Sequence, residues 1–69
     1  MTPNVPESLK MMRLRHRETQ AAEAQAVGVN RAAVRSWEYG AAEPRLSTLV
    51  KLADHYRVPL DTLIGRDVP

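Results

Sequence analysis

At 69 residues with 43% hydrophobic side chains, the chain can bury one modest core and no second. It has no Cys, only the distant pair His16 and His55, and no carboxylate constellation suited to acid–base chemistry. Disulfide staples, metal sites and catalytic residues are therefore not expected, and neither is a cofactor. No stretch approaches the roughly 20 apolar residues of a membrane span. The chain reads as soluble and cytoplasmic, with stability resting on packing. Ten Lys and Arg against eight Asp and Glu leave a net charge of +2, too small a bias to identify a partner. Residues 9 to 45 hold most of the excess: Lys10, Arg13, Arg15, Arg17, Arg31, Arg35 and Arg45 against Glu18, Glu23, Glu38 and Glu43.

Residues 1–5 contain Pro3 and no periodicity, so a flexible tail is expected, with the folded domain over 6–65 and a second tail at 66–69. Pro6 suits the first turn of a helix running to about Arg17. Its inward face is Leu9, Met12 and His16 with Arg13 at the margin, and Met11 and Leu14 lie opposite. Those two would be ordinary exposed residues or part of a partner or self-association surface.

Thr19 is an N-cap for an Ala-rich helix from Gln20 to Val27, and Gly28 ends it in the left-handed region that Gly enters without strain. Asn30, two residues on, caps the next helix, Arg31 to Tyr39, which Gly40 closes. On that helix Val34 and Trp37 form an inner side, whereas Arg31, Ala32, Arg35, Ser36 and Tyr39 face out with no acid among them. Such a face can place guanidinium donors on guanine edges, a methyl on thymine and hydroxyls on bases or phosphates.

After a loop to Arg45, the residues Leu46, Leu49, Val50, Leu52, Ala53 and Tyr56 make one apolar side of a helix from Leu46 to Tyr56, with Ser47, Thr48, Lys51, Asp54 and His55 on the other. Pro59 starts a short fifth helix, Leu60 to Ile64, closed by Gly65. Nothing alternates as a strand would, and short connections between helices imply an all-α domain. The expected core is Leu9, Met12, Ala24, Val27, Val29, Val34, Trp37, Leu49, Leu52, Ala53, Tyr56 and Leu63.

The run Thr19-Gln20, Ala24, Val27-Gly28-Val29-Asn30-Arg31, Val34 and Trp37-Glu38-Tyr39-Gly40, with Pro44, Leu46 to Leu49, Leu52-Ala53-Asp54, Val58, Leu60-Asp61 and Leu63-Ile64-Gly65, resembles the Cro and lambda-repressor (Xre-type) helix-turn-helix family over about residues 9 to 65. The resemblance implies a compact five-helix bundle whose third helix enters the major groove while the second crosses the backbone. Matched by position, Arg31, Ala32, Ser36 and Arg35 are base-reading residues. Gln20 and Tyr39 are phosphate contacts, to which Thr19 and Arg45 are added as phosphate contacts of this chain, and Arg13 and Glu38 form a structural clamp between helices 1 and 3. The implied function is a transcriptional regulator, a repressor, binding a palindromic operator in double-stranded DNA as a homodimer.

Three positions depart from the family pattern. Glu18 and Glu23 stand where apolar residues are usual, and an unpaired buried charge is costly, so both are expected to turn outward toward Arg15 or Arg17, with Ala21, Ala24 and Val27 packing instead. Arg45 replaces the usual small cap of helix 4 and exchanges capping for a phosphate contact. The loop Ala41-Ala42-Glu43 lacks basic residues, which favours the alternative that the fold serves as a protein-interaction or antitoxin-like module with a protein partner. Contact with a membrane surface is disfavoured, because the apolar face of helix 1 is small.

Overall fold

The structure, a computed structural model, describes residues 4–66. Five helices and no strand occur among the described residues: α1 (Val5–Arg15), α2 (Gln20–Val27), α3 (Arg31–Tyr39), α4 (Leu46–Tyr56) and α5 (Leu60–Ile64). Apart from Asn4, Val5 and Arg66, the tails expected at 1–5 and 66–69 lie outside the described residues.

Local sequence sets most boundaries. Thr19 accepts from the Ala22 N–H at 3.0 Å and Asn30 from the Ala33 N–H at 2.8 Å, each satisfying a donor that the first helical turn leaves unpaired. Gly28 takes φ +76°, so the chain reverses between α2 and α3 within three residues. Arg45, at the cap of α4, makes no side-chain capping bond.

Helix α1 departs from expectation at both ends. Asn4 accepts from the Glu7 N–H at 3.2 Å and starts the helix at Val5 rather than Pro6; the Asn4–Glu7 spacing is itself a capping signature. At the other end Arg17 adopts a left-handed φ of +56° and donates to the Leu14 carbonyl, so the helix stops at Arg15 instead of Arg17.

The core is built from all five helices: Leu9 and Met12 of α1, Ala24 and Val27 of α2, Val34 and Trp37 of α3, Leu52, Ala53 and Tyr56 of α4, and Leu63 of α5. Helix α3 packs on α1 and α2, α2 also packs on α4, and α5 bridges α1 and α4. Val29 and Leu49 are half-buried at the core margin. Met11 and Leu14 are exposed.

Four expectations about faces need correction. His16 is exposed rather than inward; its Nδ1–H donates to the Met12 carbonyl at 2.9 Å, which ends α1 at the surface. Leu46 and Val50 are exposed although they share the apolar side of α4. The buried residues of α4, Leu52, Ala53 and Tyr56, all lie in its C-terminal half, so the start of the apolar stripe extends past its neighbours. Ala21 is exposed, and Glu23 is buried in its stead. Residues three and four apart share a helix face, so Glu23 lies beside Val27 on the inward stripe. Glu18 is half-buried and reaches neither Arg15 nor Arg17 but Tyr56 and His55 of α4. Polar partners on α4 make both inward positions tolerable, because they remove the isolated charge that would otherwise be prohibitive.

Candidate nucleic-acid interface

Helix α3 owes its placement to its two sides. Val34, fully buried, and Trp37 anchor the inner one. The outer one presents Arg31, Ala32 and Arg35, all exposed, with Ser36 half-buried and Tyr39 at 86% exposure. Ala32, Arg35, Ser36, Tyr39 and Ala41 line one shallow cleft, and Arg31 closes a second with Ala32 and Arg35. The two guanidiniums and the phenol thus lie on one continuous outward surface.

Behind this surface a buried ion pair joins α3 to α1. Arg13 Nε donates to Glu38 Oε2 at 2.7 Å and Nη2 to Oε1 at 2.9 Å, a fork matched to the carboxylate, while Nη1 donates to the Glu18 carbonyl at 2.8 Å. The hydrogen bond that it donates to Glu38 raises the Arg13 guanidinium above its ordinary value. Burial alone would raise the Glu38 carboxyl, but the hydrogen bonds from Arg13 and Gln20 outweigh it and hold the group below its ordinary 4.5. The last turn of α3 is thereby tied to α1 and to the α1–α2 turn.

Gln20, the first residue of α2, donates from Nε2 to Glu38 Oε1 at 3.2 Å, which leaves its amide oxygen as an acceptor and fixes the side chain beside α3. Thr19 is exposed, and its hydroxyl oxygen serves as the cap of α2. Arg45 is exposed at the start of α4. Lys10 was not among the expected contacts, yet it lines a cleft with Arg13, Gln20, Arg35, Glu38 and Tyr39. Its place three residues before Arg13, hence on the same side of α1, was the available signal. Among the described residues no group of His, Asp or Glu has a metal-binding arrangement, and no helix is long and apolar enough to cross a membrane.

The chain belongs to the helix-turn-helix family, which it matches over residues 9–63, and within it to the Cro and lambda-repressor type. Among solved structures it is similar to the P22 c2 repressor in complex with a synthetic operator, at 29% identity and a TM-score of 0.85, covering 96% of this chain and 100% of that one. It is also similar to the SOS-response transcriptional repressor LexA from Eubacterium rectale, at 27% identity and a TM-score of 0.82, with 94% and 76% of the two chains covered. The third comparison is HppE with Fe(II) and substrate, at 26% identity and a TM-score of 0.80; the match covers 93% of this chain and 36% of that one. A comparison with curated protein sequences finds no match.

Proposed function

We propose that this domain is a sequence-specific, double-stranded DNA-binding transcriptional regulator acting as a repressor, with α3 as its reading helix. The observation that carries the reading is the outward face of α3, where Arg31, Ala32 and Arg35 are exposed without an acid among them, on a helix clamped from behind by Arg13 and Glu38. An α-helix is about 10 to 12 Å across with its side chains, which fits a major groove about 12 Å wide. Arg31, Ala32, Arg35 and Ser36 are the base-reading residues in this account. Gln20, Tyr39, Arg45 and Thr19 hold phosphates, joined by Lys10. Thr19 would do so by donating its hydroxyl hydrogen, since the oxygen already accepts from Ala22. Similarity to a repressor bound to an operator supports the same partner here.

A single module of this kind covers only about 600 to 1,000 Å² of its own surface on DNA. The domain is therefore expected to act as a homodimer on DNA, reading half-sites about one helical turn apart.

Replacing Arg31 and Arg45 one at a time tests the assignment. Arg31→Ala is expected to weaken binding to the preferred duplex by about 1 to 3 kcal/mol and to relax preference at one base position, whereas Arg45→Ala lowers affinity for all sequences alike and reduces the salt dependence. Competition binding across single-base variants of the duplex distinguishes the two patterns. Equal losses on every sequence for Arg31→Ala would remove it as a base reader.

A further inference from the structure

Away from the DNA-facing surface, the inward acids of α2 and the preceding turn meet α4 around one phenol. The Tyr56 hydroxyl lies 3.1 Å from Glu18 Oε1 and within hydrogen-bonding contact of Glu23 Oε1, and the second oxygen of Glu18 accepts from His55 Nε2 at 2.7 Å. A phenol has one hydrogen to give. Two ionised carboxylates facing it would leave one of them against an oxygen lone pair. Glu23 is the carboxylate that cannot turn to water: it is 1% exposed, and its Oε2 is buried without a hydrogen-bond partner among the described residues. Arg13, the cation that acts on Glu23, directs its hydrogen bonds to Glu38 and the Glu18 carbonyl.

We infer that Glu23 carries a proton in the folded domain and donates it to the Tyr56 oxygen, whose own hydrogen goes to Glu18, making a proton-dependent latch between α2 and α4 that weakens as pH rises. The line from Glu23 Oε1 through the Tyr56 hydroxyl to the two Glu18 oxygens and the His55 imidazole then has a donor and an acceptor at every step, and the unpaired Glu23 Oε2 carries no charge. The groups facing the latch come from every packed element: Arg13 of α1 and His16 at its C-terminal cap, Glu18 of the turn, Glu38 of α3 and His55 of α4. Burial pushes the Glu23 carboxyl above its ordinary 4.5; the hydrogen bond that its ionised form would accept from Tyr56 and the charge of Arg13 oppose this, and the like charges of Glu38 and Glu18 add to it. Burial, with Glu23 next to it, also raises the Tyr56 phenol, so the proton lost first on going alkaline is that of Glu23. Below the ordinary glutamate value both folded and unfolded chains hold that proton, and the latch contributes fully. Above it the unfolded chain releases the proton first, and stability falls until the folded domain loses it too.

The latch does not depend on the DNA-binding reading, and its test reads Glu23 directly because a His–Glu pair lies beside it. In a ¹³C-labelled native chain, the side-chain carboxyl carbon of Glu23 is expected to titrate above the ordinary glutamate range. Titration at or below the ordinary 4.5 would overturn the proposal. Glu23→Gln supplies a permanent N–H in place of the acid proton, so its melting temperature is expected to exceed that of the unmodified chain at about pH 8 and to approach it at about pH 5. A variant equally destabilised at both would contradict the latch. Should Glu23→Gln fail to fold, the carboxyl titration of the native chain decides alone.

Discussion

Trp37→Ala is expected to abolish folding. The indole is the largest side chain in the core, buried to 6% exposure on the inner side of α3, in the same cluster as Val34 of its own helix and Leu9 and Met12 of α1. Truncation to Ala removes the contacts that hold α3 on the bundle and leaves a cavity that a core of ten described residues is too small to close. Such truncations cost about 3 to 5 kcal/mol, and a domain of this size without a disulfide has about 5 kcal/mol in total. Far-UV circular dichroism with thermal and urea melts checks the outcome. The expected result is low helicity and no cooperative transition; a sharp melt close to the native one would show that Trp37 is dispensable to packing.

Arg13→Ala comes next in size. It strands the Glu38 carboxylate, whose side chain is only 5% exposed, with Gln20 as its one remaining donor among the described residues, and removes the bond to the Glu18 carbonyl. Removing one partner of a buried pair costs about 3 to 5 kcal/mol, because the other charge stays buried; replacing both partners with apolar residues of like size is close to neutral. Urea melts of Arg13→Ala, and of Arg13→Met with Glu38→Leu, are therefore expected to show a large loss in the first and a much smaller one in the second. A loss under about 1 kcal/mol in Arg13→Ala would describe a surface pair and contradict the clamp. The pair also sets the acid limb. Glu38 is held below its ordinary 4.5, so the stability it contributes is complete above that value and disappears as pH falls through the lower folded value. Glu23 acts with the opposite sign, and the two acids confine maximum stability from both sides.

The boundaries of α2, α3 and α5 were legible because local chemistry sets them, whereas those of α4, with Arg45 making no side-chain capping bond at its start and Arg57 at a φ of +57° at its end, were legible only through its apolar periodicity. Thr19, Gly28, Asn30, Gly40, Pro59 and Gly65 each start or stop a helix through one backbone or capping preference. The end of α1 was not, because Arg17 in the left-handed region has no sequence signature. The inward turn of Glu18 and Glu23 was hidden for a different reason: the hydroxyl that receives them belongs to Tyr56, more than thirty residues away on another helix. Patterning identifies which residues share a face but not where along it a neighbour stops, hence the exposure of Leu46 and Val50. The outward face of α3 needed only the helical wheel, whereas the place of Lys10 beside Gln20 and Arg35 needed the packing of α1 on α3.

Whether α3 reads base sequence is tested most directly by selecting the purified, folded domain against a random duplex library at physiological salt and sequencing the bound fraction. The account predicts enrichment of a palindrome with half-sites about one helical turn apart, lost when Arg31 and Arg35 are both replaced by Ala. Recovery of no enriched sequence by folded protein would contradict it, and would leave the exposed face of α3 to a protein partner.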